Sequence, residues 1–590
     1  MCGIVGGVGK ISFRDYLLNG LRSLDYRGYD SAGLAYSKDG EIKLYKTVGR
    51  VDDLDKITPH FSGADAGIAH TRWATHGVPS TINAHPQVSM KSYFYIVHNG
   101  VVENFKALKK KLSTKGYVFK SETDTEVVAD LLEFYFLQSN DPLMAMKKSI
   151  ADIEGSFACA ILIKGYDELY FMKRSSPLLI GVGKDANYLA SDAVPMVKYA
   201  NKFIDVDDDV YGYIMPSEVH LYKDGKEIAP SYVERNVEEC NFDLCGYPHF
   251  MLKEIEESPS IIRRLIDNYY NGTKFTFDSR IVKAIATSDD IVFLACGTSH
   301  YASMLGVEYM HFLGKRSESY IASEWAYYPV VTAKKPVFIL LSQSGETADL
   351  IACQKYINEN GLTNIAITNS RGSTIDRKAT FSLLLYAGLE VAVASTKSYD
   401  AQVTILAMLV AAVTKSTNAI RHLRNLTSAI EDIISRKEEI HEIAKKMVNA
   451  RDAFFVGRGY DNEAALECAL KLKEISYIHA EAYAGGELKH GPIALIEKET
   501  PVIGLISDPI SASALRNNLE ELKSRGASIF IVSTKALKAE NDNFVINDVK
   551  PYLAAVAKVT FGQYLSYYVA LEKGLPIDKP RNLAKSVTVQ

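Results

Sequence analysis

The chain has 590 residues, 47% hydrophobic and 23% charged, enough to bury several cores and to form about three domains rather than one. Its 67 basic and 71 acidic side chains nearly cancel and form no long run of either sign. That argues against a nucleic-acid or anionic-membrane partner held mainly by charge and favours a small polar ligand.

Seven cysteines are an odd number and include no tandem Cys-x-x-Cys pairs, so neither a disulfide framework nor a structural zinc site is indicated, and the thiols read as reduced. The N-terminus lacks the basic region and apolar core of a signal peptide. The strongest apolar run, Thr404 to Val413, is far shorter than the ~20 residues of a spanning helix. A cytoplasmic protein with no membrane partner is expected.

Residues 1–235 alternate short β-type runs, such as Gly67 to Thr71 and Tyr93 to His98, with helical stretches such as Asp124 to Leu137, a pattern that suits an α+β domain. The stretch 236–260 carries few apolar periodicities, contains Pro248 and Pro259 as breakers, and reads as a connector. Beyond it the sequence repeats itself. Ile291 to Gly297 aligns with Ala453 to Gly459, Pro336 to Ser342 with Pro501 to Ser507, and Asn364 to Thr368 with Ser528 to Val532, at separations of roughly 160 to 165 residues, a usual domain size. Two similar α/β domains, 261–430 and 431–580, are therefore expected, followed by a tail, 581–590. Their unalternating apolar runs end in Gly, Ser or Thr ahead of helical sequence, as in doubly wound parallel sheets with ligand loops at the strand ends.

Met1-Cys2-Gly3 places a small residue second, so removal of Met1 leaves Cys2 with a free α-amine beside its own thiol. With the amine near pKa 7.7 to 8.0 and the thiol near 8.5, the amine can take the thiol proton at neutrality, directly or through a water. A lone Cys2 is better read as a buried terminal cysteine. Its company decides: Arg27 to Ser31, His70 to Gly77, His98-Asn99-Gly100 and Thr123 to Glu126, in that order, resemble the N-terminal-nucleophile glutamine amidotransferases. That resemblance implies that Arg72 binds the glutamine α-carboxylate through its planar fork and that Asp124 pairs with the α-ammonium. Trp73, Thr75 and His76 also line the glutamine site, and Asn99 with Gly100 forms the oxyanion hole. It further implies that Trp73 gates an ammonia passage. Taken singly, Asn99-Gly100 is a common hairpin turn and Trp73 a core aromatic.

In the second half, Ser342 to Thr347 follows the apolar run Val337 to Leu341 and precedes helical sequence. Strand, hydroxyl-rich loop and helix make a phosphate site, because unpaired N–H groups and the helix dipole face the anion; helix capping by Ser344 or Thr347 is the simpler alternative. Cys296 to Ser299 and Val393 to Lys397 are similar loops. Glu463, Glu467, Lys471 and Glu474 fall on one helix face, either as a solvated salt-bridge stripe or with Glu474 shuttling a proton between sugar carbons.

Ser342 to Thr347, Lys471 to Ser476, Glu487 to Pro492 and the tail Pro580 to Val589 resemble the paired sugar isomerase (SIS) domains of the glutamine:fructose-6-phosphate aminotransferase family. The implied fold is an α+β N-terminal-nucleophile amidotransferase domain followed by two α/β doubly wound SIS domains. The implied reaction makes glucosamine 6-phosphate and glutamate from fructose 6-phosphate and glutamine, with no metal or organic cofactor. By the same resemblance Lys585 forms a Schiff base with the open-chain sugar, His490 assists ring opening and Glu474 moves the proton. Thr298, Ser299, Ser342, Gln343, Ser344, Thr347 and Lys471 hold the sugar phosphate, and Val393 and Ser395 line the sugar site. A homodimer is expected by analogy. Where the family often carries arginine this chain has Trp325 to Tyr327, which leaves local packing or subunit contacts open. An asparagine synthetase or purine-pathway amidotransferase is disfavoured, since no pyrophosphatase or phosphoribosyl-diphosphate loop follows, and a sugar-phosphate sensor lacks its helix-turn-helix segment.

Overall fold

The computed structural model describes residues 2–24, 28, 30–61, 63–73, 76–234 and 244–588. Thr75, part of the Arg27 to Ser31 motif and the start of the expected connector lie outside them. The chain divides into two compact units, Met1–Phe242 with Ser586–Gln590, and Asp243–Lys585.

The first unit is built on two antiparallel sheets of eight and seven strands. Period-2 alternation sends the two faces of each strand to different cores. Along Gly3–Gly9, Ile4 and Val8 point into the layer between the sheets, where they meet Val97, Ala158 and Phe171. Val5 points outward to Leu17 and Leu21 of the helix Phe13–Leu24. On the far face of the other sheet, Phe94, Phe157 and Ile161 pack against Val128, Leu131 and Leu132 of the helix Asp124–Ser139. The result is a layered α+β sandwich. The strand Gly3–Gly9 lies beside Ala66–Arg72 with Gly3 opposite Thr71, which sets Cys2 at the end of the strand that carries His70 and Arg72.

The second unit holds two parallel five-stranded sheets of identical topology, each with its strands in the spatial order 2-1-3-4-5. In the first, the central strands are Asp290–Ala295 and Pro336–Ser342; in the second, Asp452–Gly457 and Pro501–Ile506. The repeat extends to single residues: Gly297 and Gly459, each opening the helix after the first strand, share φ values of 56° and 54° and ψ values of −134° and −131°. Ligands of such sheets sit where the strand order reverses, outside the carboxyl ends of strands one and three, and in the first repeat those ends carry Cys296 to Ser299 and Ser342 to Thr347. One continuous apolar core, containing Ile339, Tyr399 and Leu406 from one repeat and Phe455, Leu472 and Phe561 from the other, joins the two.

The connector expected over 236–260 is shorter than the sequence reading had it. Phe250–Tyr269 is a 20-residue helix with Pro259 inside it, and it buries Met251, Leu252, Ile255, Ile262, Leu265 and Ile266 in the shared core. A mid-helix proline costs about 3 kcal/mol, which the combined burial of six aliphatic side chains at ~1.5–3 kcal/mol each outweighs. Trp325 packs at the edge of Phe338 and Tyr356, while Tyr327 stays 70% exposed. Among the described residues no helix is long and apolar enough to cross a membrane, and no cluster of His, Cys, Asp or Glu is arranged to hold a metal ion.

Candidate active site

In the first unit the motif residues converge on a partly open cleft lined by Cys2, Arg72, Trp73, Gly100, Thr123 and Asp124 among others. The Cys2 sulfur accepts the backbone N–H of Trp73 at 3.2 Å. Burial pushes the thiol up, against the N-terminal charge, the Trp73 N–H and Arg72, which favour the thiolate. The resting group is therefore a thiol that needs a base.

Asn99 is clamped at both ends: its Nδ2 donates to the Cys2 carbonyl at 3.0 Å, and its Oδ1 lies 3.0 Å from His70 Nε2. That Nε2 also faces the His98 carbonyl at 3.1 Å. Two acceptors fix it as the protonated nitrogen, and burial depresses His70 to about 3, so a neutral imidazole orients the Asn99 amide. Gly100 has φ +127°, and a Cβ there would lie 2.2 Å from the Ser156 carbonyl, so glycine is required at this position beside the cleft.

Arg72 is 3% exposed. Its Nη2 donates to the carbonyls of His76 and Gly77, while its buried Nη1 has no hydrogen-bond partner among the described residues. Asp124 opens the helix Asp124–Ser139 behind the Thr123 cap, and its Oδ2 accepts the Val102 N–H at 2.9 Å. A cation fork with a free donor and a carboxylate on one cavity match the two charged ends of an amino acid. His76 contributes its carbonyl to Arg72, and its ring lies edge-on to Phe105.

In the second unit the loop after Pro336–Ser342 folds on itself. Ser342 Oγ accepts the Gly345 N–H at 3.0 Å and lies 2.9 Å from Thr347 Oγ1, and Ser344 Oγ accepts the Glu346 N–H. Thr347 is the N-cap of the helix Ala348–Glu359 yet makes no side-chain cap bond. Its hydroxyl turns back to Ser342, so the capping alternative does not describe Thr347. Gln343 lies in the same partly exposed loop, its carbonyl accepting the Asn369 N–H.

The charged stripe of the helix Tyr460–Ser476 is buried, not solvated. Glu467 and Lys471 are both fully buried, and Lys471 Nζ lies 2.6 Å from Glu474, 3.4 Å from Glu467 and 2.8 Å from Thr298 Oγ1 in the first repeat. Burial raises Glu467 to about 8. Ser299 Oγ accepts from Gln402 at 2.9 Å.

Lys585, five residues from the end, is 2% exposed at its side chain and donates to Glu390 at 2.6 Å and Ser395 at 3.1 Å. It is not a flexible terminal lysine. Burial alone would raise Glu390, but the Lys585 charge and hydrogen bonds from Lys585, Ser398 and Thr396 hold it at about 2. Val393 lies in the same loop and donates its N–H to the Asp578 carbonyl at 2.9 Å. Sequence reasoning missed Glu390; the signal was an acidic residue five positions before Ser395. His490 ends the short turn Glu487–His490, exposed, and bonds to none of these groups.

Comparison with known proteins identifies the family. Residues 70–198 match the description "Glutamine amidotransferase domain", and 284–412 and 446–573 match "SIS domain". The chain is 42% identical, over 100% of both chains, to the glutamine--fructose-6-phosphate aminotransferases [isomerizing] of Streptococcus agalactiae and of Bacillus subtilis. Over 58% of its length it resembles the C-terminal domain of glucosamine-fructose-6-phosphate aminotransferase from Francisella tularensis, all of which is covered, at 30% identity and a TM-score of 0.53. With an amidotransferase domain, two SIS domains and this full-length similarity, the chain belongs to the glutamine--fructose-6-phosphate aminotransferase [isomerizing] family of enzymes.

Proposed function

We propose that this enzyme converts D-fructose 6-phosphate and L-glutamine to D-glucosamine 6-phosphate and L-glutamate. Arg72 and Asp124 hold the glutamine α-carboxylate and α-ammonium, with Thr75 and His76 beside them. The Cys2 α-amine, freed by loss of Met1, takes the thiol proton; sulfur adds to the side-chain carbonyl, and Asn99 Nδ2 with the Gly100 N–H holds the oxyanion. Ammonia leaves past Trp73, and water releases glutamate from the thioester.

At the sugar site Ser342, Gln343, Ser344 and Thr347 hold the phosphate, with Thr298, Ser299 and Lys471 at the neighbouring strand end. His490 assists ring opening. Lys585 forms an imine with the open-chain ketone, with Val393 and Ser395 lining the sugar. Once ammonia has displaced the lysine, Glu474 moves the proton from C1 to C2. The enzyme works as a cytoplasmic homodimer without a metal or organic cofactor.

The observation that carries this reading is Lys585, a lysine near a chain end, yet buried against Glu390 and Ser395. The test is a product assay by mass spectrometry with both substrates. Equimolar glucosamine 6-phosphate and glutamate are expected. Cys2→Ala abolishes glutamine use and leaves some sugar-phosphate isomerisation; Lys585→Ala abolishes synthesis and leaves slow glutamine hydrolysis. Glutamate without amino sugar from the unsubstituted protein refutes the acceptor assignment, and normal synthesis by Lys585→Ala refutes the imine.

A further inference from the structure

The helix Phe250–Tyr269 carries a buried carboxylate that no step above uses. Glu254 is 1% exposed. Its Oε1 accepts two successive N–H groups, from Val391 at 2.5 Å and Ala392 at 3.2 Å, and its buried Oε2 has no hydrogen-bond partner among the described residues. Those amides directly follow Glu390, whose own Oε1 accepts the N–H groups of Thr396 and Ser398 at 3.0 and 3.1 Å. The loop 390–396 is thus wound between two buried carboxylates, one reaching Lys585 and one reaching the helix.

The same helix is tied to the C-terminal segment one turn before Glu254, at its N-terminus. The N–H groups of Phe250 and Met251 donate, each at 2.9 Å, to the two carboxylate oxygens of Asp578, whose carbonyl in turn accepts the Val393 N–H. Helix, loop and tail meet at these contacts, and Glu390 and Lys585 sit where loop and tail close on each other.

We propose that Glu254 is a positioning residue for the sugar chemistry: it fixes the loop 390–396 so that Glu390 and Ser395 hold the Lys585 amine in line with the sugar. The proposal rests on the reaction assigned above. The phosphate loop Ser342 to Thr347 is built from its own hydroxyl bonds and does not depend on this clamp, so the effect belongs to turnover rather than to phosphate binding. The charged groups facing Glu254 are Glu390, Lys585 and Lys397, and Lys397 is paired with Glu257 at 2.6 Å. Burial and Glu390 raise Glu254 to about 8 despite the two lysines. The clamp therefore works as a neutral acid, whose Oε1 a glutamine amide oxygen reproduces.

The experiment is steady-state amino-sugar synthesis by the full chain carrying Glu254→Ala, Glu254→Gln or Glu254→Asp, with borohydride trapping of the Lys585 imine read by mass spectrometry. A misplacement near 1 Å costs about 10²-fold. Glu254→Ala is expected to lower kcat by about 10- to 100-fold with a KM for fructose 6-phosphate within about 3-fold, and to lower imine trapping in step. Glu254→Gln restores kcat to within about 3-fold of the starting enzyme, which a purely electrostatic role does not allow. If Glu254→Ala fails to fold, Glu254→Asp decides, since it withdraws the oxygen by one methylene and is expected to lower kcat. Unchanged kcat in the Ala or Asp variant, or a rise in KM alone, overturns the role of Glu254 while the reaction stands. No amino sugar from the unsubstituted enzyme overturns the reaction and this role with it.

Discussion

At the scale of single residues, the phosphate loop turns on Gly345. Its φ is +66°, and a Cβ would lie 1.9 Å from Ser373 Oγ and 2.5 Å from Ser373 Cβ. Gly345→Ala therefore meets both a left-handed backbone, costing roughly 1–2 kcal/mol, and a collision that pushes the loop off its hydroxyl bonds. The expected outcome is a KM for fructose 6-phosphate raised by about 10-fold or more, with glutamine hydrolysis in the absence of sugar unchanged; steady-state kinetics of both activities checks it. The residues legible in the sequence were those grouped in short motifs, such as His70 to Gly77 and Ser342 to Thr347, where neighbours in the chain are neighbours in the site. Glu390 was not legible, because the partner that gives it meaning is 195 residues away. His490 was named from its motif, and within one chain it stands exposed with none of the other sugar-site groups bonded to it.

At the scale of elements, the two repeats share strand order and the dihedrals of the helix-opening glycine but differ in how the first helix is pinned to the last. In the first repeat Ser299 accepts from Gln402, a neutral pair. At the corresponding place in the second, Asp461 is in contact with Lys558, and Ser507, the counterpart of Ser342, donates to Asp461 at 2.5 Å. Lys558 and Asp461 are 0% and 1% exposed. The strand end that holds a hydroxyl loop in the first repeat is closed in the second by the chain's own ions. Removing one partner leaves a buried unpaired charge, so Asp461→Asn or Lys558→Met is expected to cost about 3–5 kcal/mol. Importing the neutral pair, Asp461→Ser with Lys558→Gln, recovers most of that loss. Urea titrations of the parent, the two single variants and the double variant check it. Sequence spacing revealed the repeat but not this substitution, because a lysine and an aspartate 97 residues apart share no local pattern. The connector helix was missed for the converse reason: Pro259 read as a stop, although the apolar stripe from Met251 to Ile266 has helical spacing.

For the molecule as a whole, the two units bury titratable groups of opposite kinds, and this gives their stabilities opposite pH trends. In the first unit burial holds His70 at about 3 and pushes His85 and His98 down. These histidines are neutral when folded and protonate when unfolded, so the unfolded state binds more protons between the folded values and 6.5, and stability falls as pH drops through that window. Asp130, raised to about 7 by burial, and His220, raised by its hydrogen bonds to Glu227 and Glu218, oppose them. In the second unit burial raises Glu254, Asp400 and Glu467 to about 8 and Glu463 to about 7. There the folded state binds more protons, and stability falls as pH rises from the ordinary carboxylate values near 4 toward 8. Burial pushes Lys558 down and also pushes His300 and His422 down, which opposes these carboxylates. The chain has two tryptophans, Trp73 in the first unit and Trp325 in the second, so single-tryptophan variants report each unit separately. Between pH 5 and pH 8 the Trp73 melting midpoint is expected to rise and the Trp325 midpoint to fall. Parallel movement of both midpoints would mean that the buried carboxylates of the second unit are ionised in the folded protein.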